Sequence, residues 1–394
     1  MRRFNGLLAM AFVAALQGCD ASDSPSLGQP VALEMPAGDI AGPRLGTRAD
    51  GKLVLSWMAV NDAGASLHYA DLDGQGLGKP QRVTTDPRMF VNWADLPSVM
   101  QLRDRHWVAH WLSYSADQTY SYDVLVAQSF DDGKTWSEPV TAHTDGTPTE
   151  HGFVSMHREA GGVGLVWLDG RNTPDAPMTL RGAIITPAGE RTQEQVIDDS
   201  VCDCCQTDIA VSSHGPIVVY RDRTADEIRD IYVSRRVDGA WEPGSRLYAD
   251  DWQIAGCPVN GPSIVADGDQ VAIAWFSAAG NAPVVRVMIS DNGGTTFGQP
   301  VEVSRGRLAG YVGLAIIDDQ TLAVSWVGRT SAGNALRLRT VAMNGAPGPE
   351  HHIADIEQVR VFPQLGYLDG HLFLLWTGQG AELRALQGVK IPLN

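Results

Sequence analysis

Lys52–Trp57 reads KLVLSW, a short apolar run closed by an aromatic residue and preceded by the turn sequence Arg48-Ala49-Asp50-Gly51. Short apolar runs bounded by Gly, Asp and Asn are the signature of a buried strand. The same pattern recurs at His106–Trp111 (HWVAHW), Val163–Trp167 (VGLVW), Pro216–Tyr220 (PIVVY), Val271–Trp275 (VAIAW), Leu322–Trp326 (LAVSW) and Leu372–Trp376 (LFLLW). The closing aromatics stand at 57, 111, 167, 220, 275, 326 and 376, in steps of 50 to 56 residues. Asp-Gly pairs at 50–51, 267–268 and 369–370 supply the positive φ of a tight hairpin ahead of three of these runs. A period this regular, filled with short strands, predicts stacked four-stranded sheets around an axis, an all-β propeller. Seven aromatic strands predict seven blades. Val31–Met35 is an extended segment with no blade of its own, placed to complete the last blade and close the ring. Six blades is the alternative, if a terminal unit is incomplete.

Composition narrows the class. The chain has 394 residues, 44% hydrophobic and 19% charged, which is too apolar for a disordered protein. Its 42 Gly and 11 Trp, without long Ala/Glu/Lys/Leu tracts, argue against a helical bundle. Lys+Arg total 30 against 46 Asp+Glu, a net charge of −16, and an anionic surface repels phosphate backbones. Nucleic acid is excluded as an expected partner, and a monomeric single domain over residues 31–394 is expected.

The first residues read as an address. Arg2 and Arg3 precede the ten-residue apolar run Leu7–Leu16, too short to cross a bilayer and typical of a signal peptide. Leu16-Gln17-Gly18-Cys19 resembles the lipobox of bacterial lipoproteins. That resemblance implies removal of residues 1–18, acylation of Cys19, and a flexible tether over residues 19–30. The domain would then face the periplasm, touching the membrane through its lipid alone, with Asp20 pointing to the inner membrane.

Two further segments carry a motif. Ser129-Phe130-Asp131-Asp132-Gly133-Lys134-Thr135-Trp136 fits Ser-x-Asp-x-Gly-x-Thr-Trp, and Ser290-Asp291-Asn292-Gly293-Gly294-Thr295-Thr296-Phe297 fits it with Asn292 for Asp and Phe297 for Trp. The physical demand is a tight hairpin: a side chain accepts from turn N–H groups, Gly takes positive φ, and the aromatic tucks beneath. The pattern resembles the BNR/Asp-box repeats of the sialidase-like β-propellers, over essentially residues 40–394. The resemblance implies that Ser129, Asp131, Gly133, Trp136, Ser290, Asn292, Gly294 and Phe297 are scaffold on the outer hairpins. It also implies a site of three Arg, a Tyr nucleophile with a Glu, and an Asp acid/base. Arg44, in Gly42-Pro43-Arg44-Leu45-Gly46, stands near the place of the first Arg, and Tyr311 lies in a segment similar to the one carrying the Tyr. No complete Arg triad is legible, because the Arg-Ile-Pro and Ser-Asp elements of those motifs are absent here.

Propeller ligands bind where the inner strands begin, since loops from every blade converge there. Counting back about 18 residues from each closing aromatic places Asn92, Trp93, Asp95, Glu150, His151, Cys202, Asp203, Cys257, Asn260 and Tyr311 on one rim. The charged turns Asp169-Gly170-Arg171-Asn172 and Arg221-Asp222-Arg223 are expected to tie hairpins through local ion pairs. With Cys19 committed to lipid, Cys202, Cys204, Cys205 and Cys257 remain, an even number in an oxidising compartment. Structural disulfides are the first expectation, with Cys202–Cys257 the natural bridge and Cys204–Cys205 left as a strained vicinal pair. A redox-labile or ligand-lining role is the second, and a thiolate-held Cu or Zn with His151 as an extra ligand the third. No other cofactor is expected. The expected function is binding of a carbohydrate or other envelope molecule, with Trp93 as a stacking surface. The rivals are a glycoside hydrolase using Asp95, Glu150 or Tyr311, and metal or thiol handling.

Overall fold

In the strand Leu53–Asn61 the six residues Leu53–Met58 are all buried, so both faces of the strand are covered. A continuous apolar run suits a strand sandwiched between neighbours, and polar alternation would not. The same holds for His106–Tyr114, Gly162–Asp169 and Thr321–Arg329. The computed structural model describes residues 25–331, 333–357, 361–379 and 384–394; the leader, Cys19 and Asp20 lie outside the described residues.

The strands form seven antiparallel sheets, a seven-bladed β-propeller rather than the six-bladed alternative. The inner strands of blades 1 to 7 are Asp39–Thr47, Ser98–Arg103, His151–Glu159, Asp208–Ser212, Ser263–Asp267, Leu308–Asp318 and Gln364–Leu368. Each pairs with the aromatic-closed strand that follows it. All seven aromatics are at most 4% exposed, and they fill the space between blades. Trp167 packs with Val108, Tyr122 and Val124 of blade 2, while Val166 and Leu168 pack with Val218 and Tyr220 of blade 4. Fully burying such side chains, at roughly 25 cal/mol per Å² of apolar surface, is the main glue between sheets.

The ring closes as the sequence suggests. Val31 and Ala32 pair with Lys390 and Val389 as the outer strand of blade 7. Pairing also runs further back than expected: Leu27 bridges Leu393, and Gly28 N–H donates to the Pro392 carbonyl at 2.8 Å. Residues 26–30, expected as tether, therefore belong to the domain, because the edge of the C-terminal strand offers them backbone partners. The Arg384 guanidinium grips the Asp39 carboxylate at 2.8 and 2.9 Å and joins blades 7 and 1.

The two hairpin motifs have the geometry their residues demand. Ser129 Oγ accepts from Gly133 N at 2.9 Å, and Asp131 accepts from Thr135 N and Oγ. Ser290 Oγ accepts from Gly294 N and Asn292 Oδ1 from Thr296 N, while the Asn292 amide donates to Thr296 Oγ. Gly133 and Gly294 take φ of +79° and +78°. Both turns lie between the third and fourth strands of their blades, away from the axis.

Candidate functional site

The inner strands enclose a channel of about 750 Å³, within the range of small-ligand sites. Its lining includes Arg44, Gln206, Thr207, Asp208, Tyr311, Phe362 and Gln364, drawn from blades 1, 4, 6 and 7. Arg44 and Asp208 face each other across it at 3.8 Å. Burial raises the Asp208 carboxyl above the usual range, and the Arg44 charge partly offsets this. Beside the channel lies a smaller cleft lined by Trp93, Pro43, Thr377 and Arg384, and Leu96 and Phe362 line both spaces.

Three aromatic rings meet there. Half-buried Trp93 stacks on Phe362 at 5.4 Å between centroids, and Tyr311 meets Trp93 edge-on at 6.3 Å and Phe362 edge-on at 5.0 Å. Trp93, Phe153, Cys204, Val259 and Phe362 share one apolar cluster, so the loops that start blades 2 to 5 and blade 7 converge on one face. Of the residues expected on one rim, Trp93 and Tyr311 meet in this aromatic group, and the others divide by role.

Asp95 and Asn260, expected to bind ligand, bolt blades together. Asp95 Oδ1 accepts the Phe153 amide at 2.8 Å, and Asn260 Oδ1 accepts the Tyr311 amide at 2.7 Å. The recipients, Phe153 and Tyr311, have φ of +53° and +54°, a region non-glycine residues rarely occupy. The residue before each is Gly152 or Gly310, where a Cβ would stand 2.0 Å from Asp95 Oδ2 or 2.1 Å from Asn260 Oδ1. Two sequence echoes mark the device: Asp95-Leu96-Pro97-Ser98 with Asn260-Gly261-Pro262-Ser263, and Gly152-Phe153-Val154 with Gly310-Tyr311-Val312. Asn92 is a turn residue, its Oδ1 accepting from Ala94 N at 2.8 Å.

His151 does not reach the rim. It is fully buried and stacks flat on His143 at 3.7 Å, with Nε2 3.2 Å from Asp145. Asp123, His143 and His151 bring one donor atom each within 4.8 Å of one another, as do Asp145, His151 and Asp169. Glu150, its neighbour, is half-buried and accepts from the Tyr122 hydroxyl at 2.7 Å. Burial pushes its carboxyl up to about 7, against the lowering effect of the Tyr122 bond. Asp95 is pushed to about 8, first by burial and then by nearby Glu150, with the Phe153 amide pulling the other way. A carboxyl that holds its proton near neutrality is equipped for general acid work.

The cysteines pair differently from the bridge expected. Cys204 is joined to Cys257, and Cys202 and Cys205 are buried free thiols, so neither Cys202–Cys257 nor the vicinal pair forms. The Cys202 amide donates to the Arg221 carbonyl, while Cys204 bonds across to the loop that starts blade 5. Asp203 pairs with Arg223 at 3.2 Å. Arg171 closes on Asp169 in a local ion pair, and Arg223 pairs with Glu227 at 2.7 Å, whereas Arg221 forms no such pair among the described residues and instead donates to the carbonyls of Arg229, Asn260 and Phe276. Phe362, Tyr122, Asp208 and Arg229 went unread in the sequence, because nothing near them repeats from blade to blade.

No protein-family model and no curated protein sequence matches the chain. Solved structures do. An ulvan lyase aligns with a TM-score of 0.57 at 11% identity, over 92% of this chain and 93% of its own. The polysaccharide lyase Uly1 aligns at 0.52 and 9% identity, over 91% and 90%. The α-L-arabinofuranosidase Arb93A from Fusarium graminearum aligns at 0.50 and 12% identity, over 93% and 98%. What the chain shares with them is the fold.

Proposed function

We propose that this propeller binds a carbohydrate where its central channel opens beside Trp93. The observation that carries the reading is the Trp93–Phe362–Tyr311 aromatic group beside a channel walled by Arg44, Asp208 and Gln364. Flat apolar ring faces cover the C–H face of a sugar, and charged and amide groups meet its hydroxyls, the mixture expected of a concave ligand site. The folds it shares belong to proteins named for arabinofuranoside, ulvan and polysaccharide cleavage, which supports a glycan as ligand. Titrating the protein calorimetrically with arabino-oligosaccharides, uronate-containing oligosaccharides and sialosides tests the idea. Saturable binding to one class, weakened at least tenfold by Trp93→Ala, supports it; no binding to any, or equal binding by the variant, overturns it.

A catalytic reading rests on a separate observation, the Glu150 carboxyl held by Tyr122 with its proton retained up to about pH 7. In that reading Glu150 is the acid of a glycoside hydrolase or lyase. We also place the protein at the bacterial envelope, anchored through lipid on Cys19. Labelled palmitate incorporated into the wild type and absent from Cys19→Ala tests the anchor.

A further inference from the structure

Cys202 and Cys205 form a Cys-x-x-Cys pair with sulfurs 2.8 Å apart, and Cys202 Sγ lies 3.9 Å from Cys204 Sγ. Two thiolates around one tetrahedral zinc stand roughly 3.8 Å apart, so this pair is too close to share such an ion. Sulfur–sulfur chemistry fits the spacing better. Arg229, almost wholly buried, donates from Nη1 to Cys202 Sγ at 3.3 Å. Cys257 of the existing disulfide is exposed, whereas Cys202 and Cys205 are each 1% exposed. A buried dithiol thus touches a disulfide that reaches the surface.

We propose that the disulfide of this cluster exchanges between two positions, Cys204–Cys257 and Cys202–Cys205. In the first step the Cys202 thiolate attacks Cys204 Sγ; a Cys202–Cys204 bond forms, the Cys204–Cys257 bond breaks, and Cys257 leaves as thiolate. In the second, Cys205 gives up its proton and attacks Cys202 Sγ; the Cys202–Cys205 bond forms and Cys204 leaves as thiolate, taking up that proton. One disulfide and two thiols stand on each side, so no oxidant or reductant is consumed. The attacking sulfur is prepared for the role. Burial opposes the Cys202 thiolate, but the Cys205 S–H, the Cys204 amide and the Arg221 and Arg229 charges outweigh it and bring the group down to about 6.

The exchange has a structural consequence. Cys204–Cys257 clamps the loops that start blades 4 and 5. Two residues on from Cys257, Val259 is held at φ +47°, a costly conformation for a β-branched residue. The next residue, Asn260, fixes the Tyr311 amide at the channel. Moving the bond to Cys202–Cys205 frees that loop at its exposed end and exposes a reactive thiol at Cys257.

The test is time-resolved alkylation of the native full-length protein with iodoacetamide, followed by denaturation and peptide mapping by mass spectrometry. Progressive labelling of Cys257, in molecules that carry a Cys202–Cys205 bond, is expected. In Cys202→Ser, labelling of Cys257 should slow at least tenfold, and in Cys205→Ser the bond should end at Cys202–Cys204. Equal Cys257 labelling in wild type and Cys202→Ser overturns the proposal. So does labelled Cys257 in molecules whose Cys202 and Cys205 are both alkylated, or recovery of two complete disulfides with no free thiol among the four. The bond-linkage readout is made on the wild type, so it stands even where a variant fails to fold.

Discussion

Across the boundary between blades 2 and 3, Asp95 Oδ1 accepts the amide of Phe153 at 2.8 Å while its other oxygen has no hydrogen-bond partner among the described residues. Asn260 does the same for Tyr311 between blades 5 and 6 with a neutral amide. The fold therefore builds one joint twice, once with a titratable carboxyl and once with an amide.

The carboxyl version is pH-sensitive. Its carboxyl sits at about 8 in the fold, against about 3.9 in an unfolded chain. The folded state favours the protonated form, so the stabilising contribution is complete below about pH 4 and is lost as pH rises towards 8. Asp95→Asn keeps the acceptor and removes the charge. Thermal melts should show the variant matching the wild type at low pH and melting higher at pH 8. A difference that is the same at both pH values would contradict this.

The close approach at the joint predicts an unequal cost for two glycines. Gly310 (φ +91°) would put a Cβ 2.1 Å from Asn260 Oδ1, whereas Gly51 (φ +84°) meets nothing within 4 Å. Gly51→Ala carries only the cost of a left-handed backbone, about 1–2 kcal/mol. Gly310→Ala should cost about 1–3 kcal/mol more by breaking a buried hydrogen bond, measured by urea denaturation.

Packing between blades predicts the largest loss at the closing aromatics. Trp167, with none of its surface exposed and Nε1 donating to Asp169, should lose about 3–5 kcal/mol on replacement by Ala. Denaturant midpoints should show one cooperative transition shifted down, not a separate early melting of blade 3.

For the catalytic reading, Glu150→Gln removes the proton and keeps the shape. If glycan cleavage is found, its rate should fall as pH rises through about 7 and disappear in the variant, with binding retained. Initial rates across pH, beside calorimetric affinities, separate the two.

Closure predicts that deleting residues 25–32 leaves the strand Arg384–Pro392 as an open edge. The truncated protein should melt lower and associate at concentrations where the full chain does not, measured by scattering.

The blade count was legible because each unit must bury one large aromatic at a fixed place, and burial repeats with the architecture. Trp57 to Trp376 carry that signal, and the segment after Pro30 carried the closure. The site was legible only in outline. Counting back from Trp111 and Trp167 found Trp93 and Glu150, yet spacing cannot distinguish a side chain facing the channel from one turned into a blade boundary, as Asp95, His151 and Asn260 are. The cysteine pairing was hidden for a similar reason. A shift of two residues along the loop decides whether Cys202 or Cys204 faces Cys257.

Ser26 and Asn394 exchange backbone hydrogen bonds at 3.2 and 3.0 Å, so the two ends of the described chain meet on the same blade. Topologically the ring has no privileged starting point. A short turn joining the strands at that seam yields a circle, and cutting the circle at a turn between blades gives a permuted protein with the same aromatic mouth.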